Sequence, residues 1–196
     1  LFVIADIHGA LEPFDRGKDI IDQCDVIVVA GDLCRRGRVE DGARILARLE
    51  ATGKRVIAVH GNWDPVPVIE MMREKGYGVH RTSVVIEGVA FFGCGGAQKS
   101  LLRTTTMYSE DEIARFLEEA ARGTEGASTR ILLTHVPPRG MLDRNFFRMR
   151  LGSVAVRNFV DRLKPDIVIS GHVHEAAGYE RFDGITMVNP GSFRAG

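Results

Sequence analysis

The stretch Val26-Ile27-Val28-Val29-Ala30-Gly31-Asp32 decides the fold. Its first five residues are apolar and mostly β-branched, so they read as a strand. The strand runs straight into a glycine and a carboxylate. Four other apolar runs also end on polar ligand residues. Phe2-Val3-Ile4-Ala5 leads into Asp6-Ile7-His8-Gly9, and Val56-Ile57-Ala58-Val59 leads shortly to Gly61-Asn62-Trp63-Asp64. Ile131-Leu132-Leu133 leads to Thr134-His135, and Ile167-Val168-Ile169 leads to Gly171-His172-Val173-His174. Strands of a largely parallel sheet bring their C-terminal ends to one edge, where ligands bind. Asp6, His8, Asp32, Asn62, His135, His172 and His174 are therefore expected to converge, although they span most of the chain.

Asp, Asn and His without cysteine suit Mn²⁺, Fe, Zn²⁺ or Ni²⁺ better than a thiolate-selected metal. Seven ligands exceed the four of a closed zinc site. They suit two divalent ions sharing a carboxylate, roughly 3.5–4 Å apart, as in two-metal hydrolysis of phosphate esters. One histidine alone would read as structural. Four of the six histidines stand just after a strand candidate, which favours a ligand role for the set.

The series Asp6-x-His8, Gly31-Asp32, Gly61-Asn62-x-Asp64, His135 and Gly171-His172-x-His174 resembles the calcineurin-like metallophosphoesterases. Asn189-Pro190-Gly191-Ser192 is similar to the closing segment of small prokaryotic members. The stretch from Gly93 to Glu112 looks like an archaeal and bacterial subgroup of predicted phosphoesterases. The resemblance implies one domain over residues 1–196 and a four-layer α/β/β/α sandwich of two mixed sheets flanked by helices. It implies a two-metal phosphoesterase, preferring diesters, in which a metal-bridging hydroxide attacks phosphorus. Asp6, His8, Asp32 and His174 would hold one ion. Asp32, Asn62, His135 and His172 would hold the other, with Asp32 bridging. Manganese is the expected metal, with Fe, Zn or Ni as alternatives. The seven ligands are also the expected catalytic residues.

One position departs from the family. Many members carry a histidine after Gly-Asn, where the imidazole is proposed to protonate the leaving oxygen, and here Trp63 stands instead. Indole has one donor N–H and no useful acidity. Its ring would form a stacking wall beside the substrate. His60 is a second candidate acid, although its place at a strand end favours a buried structural role, and His80 is expected to be exposed. Arg36 falls where a related phosphatase group has a phosphate-binding arginine in Gly-Asp-x-x-Asp-Arg-Gly, with Arg35 replacing the second Asp. Arg36 and Trp63 are the expected substrate contacts. Pro137–Gly152 carries Arg139, Arg144, Arg148 and Arg150 with Phe146 and Phe147, which suits either a nucleotide grip or a dimer contact.

Lys plus Arg and Asp plus Glu are 26 each, so there is no global basic footprint for nucleic acid. No apolar run approaches a membrane span, no signal peptide is read at Leu1, and no membrane partner is expected. Three cysteines, Cys24, Cys34 and Cys94, lack a paired spacing. They read as small apolar fillers, and a cytoplasmic location is expected. A phosphate-ester substrate is the expected partner, with a nucleotide and a homo-oligomer as candidates.

Helix candidates are Asp15–Gln23, Glu40–Ala51, Val66–Lys75, Ser109–Arg122 and Ser153–Leu163, with a capping box from Ser109 to Glu112. Ser83–Glu87 with Val89–Gly93, and Tyr179–Phe182 with Ile185–Asn189, read as hairpins. Asp183-Gly184 supplies a type I′ turn signal for the second. Two rival functions remain. A scaffold of the same fold would bind metal without turnover. A nucleotide module would use Gly93–Ser100, a near P-loop whose second glycine is replaced by Gln98.

Overall fold

Residues 1–195 are described by a computed structural model. β1 (Phe2–Ile4), β2 (Val26–Ala30) and β3 (Arg55–Val59) form a sheet in that order, each pair parallel. α1 (Glu12–Arg16), α2 (Lys18–Gln23), α3 (Val39–Glu50) and α4 (Val66–Glu74) belong to the same half. β2 is buried along its whole length. Side chains alternate along it with period two. Ile27 and Val29 pack with Phe14, Ile45, Leu49 and Met72 of the helices. Val28 and Ala30 point the other way, into a cluster with Phe91, Ile131, Leu133 and Ile169.

Those partners belong to a second, six-stranded sheet. β4 (Ser83–Ile86) and β5 (Val89–Cys94) make a hairpin at one edge. β6 (Ala97–Gln98) and β7 (Met107–Tyr108) pair apart from it as a two-stranded parallel ribbon. β8 (Thr129–Thr134) and β9 (Ile167–Ile169) run parallel in the middle. β10 (Gly178–Phe182) and β11 (Ile185–Asn189) close the other edge as a hairpin. The order is β10-β11-β9-β8-β5-β4. α5 (Glu110–Ala121) and α6 (Val154–Leu163) cover this sheet through Ile113, Leu117, Val156 and Val160 against Phe92, Leu132 and Val168. The capping box expected at Ser109 is formed in both directions, and Ser153 caps α6. The chain is a mixed α/β fold with several sheets flanked by helices.

Three details differ from the sequence reading. The first sheet is wholly parallel rather than mixed, because helices connect all its strands and a crossover returns the chain in the same direction. Asp15–Gln23 is two short helices, broken at Gly17, whose φ of −86° and ψ of 5° leave the helical run. The P-loop reading fails: β6 occupies Ala97–Gln98, and the next helix begins only at Glu110. The link after α4 also has an unexpected task. Ala58 and Val79 bond it to the first sheet, while the Arg81 N–H reaches the Gly93 carbonyl of the second at 2.9 Å. Among the described residues no helix is long and apolar enough to cross a membrane.

Candidate metal centre

The segments that follow β1, β2, β3, β8 and β9 meet at one edge. The Asp6 N–H bonds the Gly31 carbonyl at 3.0 Å, and the His8 N–H bonds the Asp32 carbonyl at 2.9 Å. The first sheet supplies Asp6, His8, Asp32 and Asn62, and the second supplies His135, His172 and His174. A direct bond joins the halves: the His172 N–H donates to Asp6 Oδ2 at 2.9 Å. Glycines make this closeness possible. A Cβ on Gly61 would collide with the Asp32 carboxylate, and one on Gly171 would lie 2.7 Å from Asp6 Oδ2. Asp6, His8, Asp32 and His172 take φ values of 52°, 48°, 56° and 68°. Non-glycine residues seldom adopt this left-handed region, and such strain collects at functional sites.

Two clusters share Asp6. The ligand atoms of Asp6, His8 and His174 lie within 4.8 Å of one another, and so do those of Asp6, Asp32 and His135. Asp32, a member of the second group, also faces the first, with Oδ2 3.9 Å from His8 Nε2 and Oδ1 3.6 Å from His135 Nε2. Asn62 Oδ1 is 2.9 Å from His135 Nε2, and the His172 ring lies 5.1 Å from that of His135. Backbone carbonyls set the histidine tautomers. His135 Nδ1 is 2.7 Å from the Ala30 carbonyl, and His8 Nδ1 is 3.2 Å from the Cys34 carbonyl. A carbonyl only accepts, so each Nδ1 holds a proton and each Nε2 offers a lone pair to the centre, as metal-binding histidines require.

The donor set fits divalent ions. Asp6 is fully buried, yet its Oδ1 has no hydrogen-bond partner, although His174 Nε2 is 3.3 Å away. Burial would raise the Asp6 carboxyl, but His174, His135 and His8 outweigh it and hold the group below its usual range. Burial pushes Asp32 well above that range, and the charges of Asp64 and Asp6 push the same way. Burial also lowers His172 to about 3, with His135 adding to the effect. A cation among these groups would relieve both the carboxylate crowding and the orphaned oxygen.

Asp64 is fully buried and pins the loop instead of entering the centre. Its carboxylate accepts from the Cys34 N–H at 2.9 Å and the Gly61 N–H at 2.8 Å. Trp63 donates its backbone N–H to Asp32 Oδ1 at 2.8 Å. Its side chain lines a cavity of about 490 Å³ with His8, His174, Arg35, Arg36, Arg38 and Arg194. Arg36 is thus beside the centre. Arg38 and Arg194 are there too, although nothing in their sequence context marks them.

His60 is buried, and its Nε2 lies 3.1 Å from the Tyr108 hydroxyl. Burial lowers its pKa well below the usual value, with His80 contributing. It is not placed to serve as a proton donor in the cavity. The expectation that His80 is exposed was wrong: its ring stacks on Tyr108 at 5.7 Å and its Nδ1 accepts from the Gly95 N–H. The aromatic surroundings come from β7 and α5, which are distant in sequence. Cys34 is buried and does not line the cavity. The Pro137–Gly152 segment does not line that cavity, and its Phe146 and Phe147 are largely exposed.

The loop carrying these arginines rests on Asp41, which is buried beneath Gly9. Asp41 accepts from Arg35 Nε at 3.0 Å and Arg44 Nη2 at 2.6 Å. The Arg35 bond, opposed by burial and reinforced by Arg44, holds its carboxyl down at about 2. A depressed carboxyl contributes stability above its unfolded pKa and loses it as pH falls through the folded one. Both arginines are about half exposed, which reduces the effect. Asp41→Asn is expected to lower stability by about 1–2 kcal/mol at neutral pH. The deficit should shrink as pH falls from about 4 towards 2. Urea unfolding at a series of pH values checks this, and a pH-independent deficit would contradict it.

A family profile described as the calcineurin-like phosphoesterase superfamily domain matches residues 1–196. An uncharacterized protein of Methanocaldococcus jannaschii is 29% identical over 195 residues, covering 95% of this chain and 85% of that one. Among solved structures, the protein TT1561 of Thermus thermophilus superposes with a TM-score of 0.72 at 17% identity, covering 98% of this chain and 88% of that one. A dimetal phosphatase from Danio rerio superposes with a TM-score of 0.65 at 12% identity, covering 97% and 86%. At these identities the two structures speak for the fold.

Proposed function

We propose that the chain, which belongs to the calcineurin-like phosphoesterase superfamily, is a two-metal phosphodiesterase. The family supports a metal-dependent phosphoric-ester hydrolase. The observation that carries the two-metal reading is the orphaned, buried Oδ1 of Asp6 between two histidine-containing groups. Asp6, His8, Asp32 and His174 would hold one ion. Asp32, Asn62, His135 and His172 would hold the other. Bound divalent ions supply Lewis acidity and a nucleophile drawn from water near neutral pH. The chain's own residues do the rest. The Ala30 and Cys34 carbonyls fix the histidine tautomers, and the Trp63 N–H orients Asp32. Arg36 offers a two-pronged donor to phosphate oxygens, and Trp63 walls the cavity where a leaving group would lie. Manganese is the proposed metal on the oxygen and nitrogen donor set. The preference for diesters rests on the family resemblance and on the room in the cavity beside the centre. Three free, buried cysteines support a reducing compartment, the cytoplasm.

The protein loaded with Mn²⁺ is expected to carry two ions per chain by elemental analysis and anomalous scattering. It should hydrolyse bis(p-nitrophenyl) phosphate faster than p-nitrophenyl phosphate. A single ion at saturation, with His135 and His172 uncoordinated, would sink the two-metal reading. A faster monoester would sink the diester preference. Two ions without turnover would favour a metal-binding scaffold, the reading that Trp63 favours by standing where the family has its proton donor.

A further inference from the structure

The cavity beside the centre carries more positive charge than one phosphodiester needs. Four arginines line it, and no carboxylate does among the described residues. Asp41 neutralises Arg35, and it also holds Arg44 in the adjoining hollow. Arg36, Arg38 and Arg194 have no ion-pair or hydrogen-bonding side-chain partner among the described residues. The chain as a whole has equal numbers of acidic and basic residues, so three unpaired guanidiniums in one cavity are a local concentration. They come from two remote segments. Arg36 and Arg38 flank Gly37, where a Cβ would meet Thr105 Oγ1 at 2.9 Å. Arg194 is brought in by the bonds from the Phe193 N–H to the Ala5 carbonyl and from Ser192 Oγ to the Asp6 carbonyl. Two divalent ions would already meet the charge of the phosphate being cleaved.

We propose that Arg38 and Arg194, beyond the Arg36 that would face the scissile phosphate, form a second anion subsite. The substrate is then a nucleotide-like ester with a further phosphate beyond the scissile one and a planar ring against Trp63. This rests on the phosphoesterase reading for the scissile phosphate. Guanidinium matches phosphate oxygens in a two-pronged way, and an indole face accepts a base of any sequence. A volume of about 490 Å³ is within the range of small-molecule sites and suits a nucleotide.

Trp63 is the only tryptophan in the chain, so its fluorescence reports on this cavity directly. Thymidine 3′,5′-bisphosphate, thymidine 5′-monophosphate and thymidine are titrated into the metal-loaded and metal-stripped protein, with calorimetry as a second readout. The bisphosphate is expected to bind at least about tenfold more tightly than the monophosphate, since charge-assisted bonds to phosphate are of that size. The margin should shrink at high salt. Arg38→Gln and Arg194→Gln should each reduce the margin, and the double variant should bring it to about twofold or less. Equal binding of the two nucleotides by the unmodified protein would overturn the subsite, with no dependence on any variant's folding. A margin untouched in a double variant with an unchanged circular dichroism spectrum would overturn it as well. Failure of the phosphoesterase reading looks different: the metal-loaded protein would leave bis(p-nitrophenyl) phosphate intact while the bisphosphate margin persisted.

Discussion

Asp32→Ala is expected to deplete both metal positions and to lower kcat/KM by at least about 10³-fold. Metal charge stabilisation contributes several kcal/mol, and about 1.4 kcal/mol is a factor of ten. The reason is positional. Asp32 turns Oδ2 towards His8 and Oδ1 towards His135, so it faces both groups. His174 meets Asp6 on one side, and His135 meets Asn62 on the other. His174→Ala should therefore mainly empty one position, and His135→Ala the other. Metal stoichiometry and kcat/KM for the three variants decide the matter. Equal, partial losses in all three would show that Asp32 does not bridge.

Trp63→His is expected to change the dependence of rate on the leaving group. General acid catalysis contributes about 10²–10⁴ in rate. Indole cannot supply it, and His60 is buried under Tyr108 with its proton affinity suppressed. In the unmodified protein, rates should fall steeply as the leaving group becomes more basic. Esters of acidic phenols should react well and alkyl esters poorly. An imidazole at position 63 would lie in the cavity beside His8 and His174. It should raise alkyl ester rates by about tenfold or more while changing aryl rates less. The measurement is log kcat/KM against leaving-group pKa for both proteins, with chemistry rate-limiting. A flat line for the unmodified protein would mean that another group donates the proton.

Much of this was legible from short sequence patterns because the strands are short and their ends are chemically marked. Val26–Ala30 is a strand in full, and the Asp183-Gly184 turn has the expected positive φ at both residues, 50° and 83°. The seven expected ligand residues do come to one edge of the fold. What the sequence hid depends on contacts between distant segments. His80 looked like a linker residue because Tyr108 and Phe116, its ring neighbours, are 28 and 36 positions away. Arg194 has no local motif, since it reaches the cavity through bonds from its own neighbours to Ala5 and Asp6. Asp41, in the first turn of α3, is buried because Gly9 packs over it, a contact between segments that no local pattern carries. A break such as that at Gly17 was open to recognition, but Gly within a helical pattern is often tolerated.

The bond from His172 to Asp6 spans 166 residues, and that from Ser192 to Asp6 spans 186. During synthesis, then, Asp6 leaves the ribosome with none of its partners from the second sheet yet made. A half-made chain has Asp6, His8, Asp32 and Asn62 but lacks the imidazoles that complete either group. On the proposed two-metal reading, acquiring ions would be a late event that follows docking of the two sheets. On that reading a nascent or cleaved fragment that ends before residue 172 should stay inert, and any turnover would be confined to finished molecules.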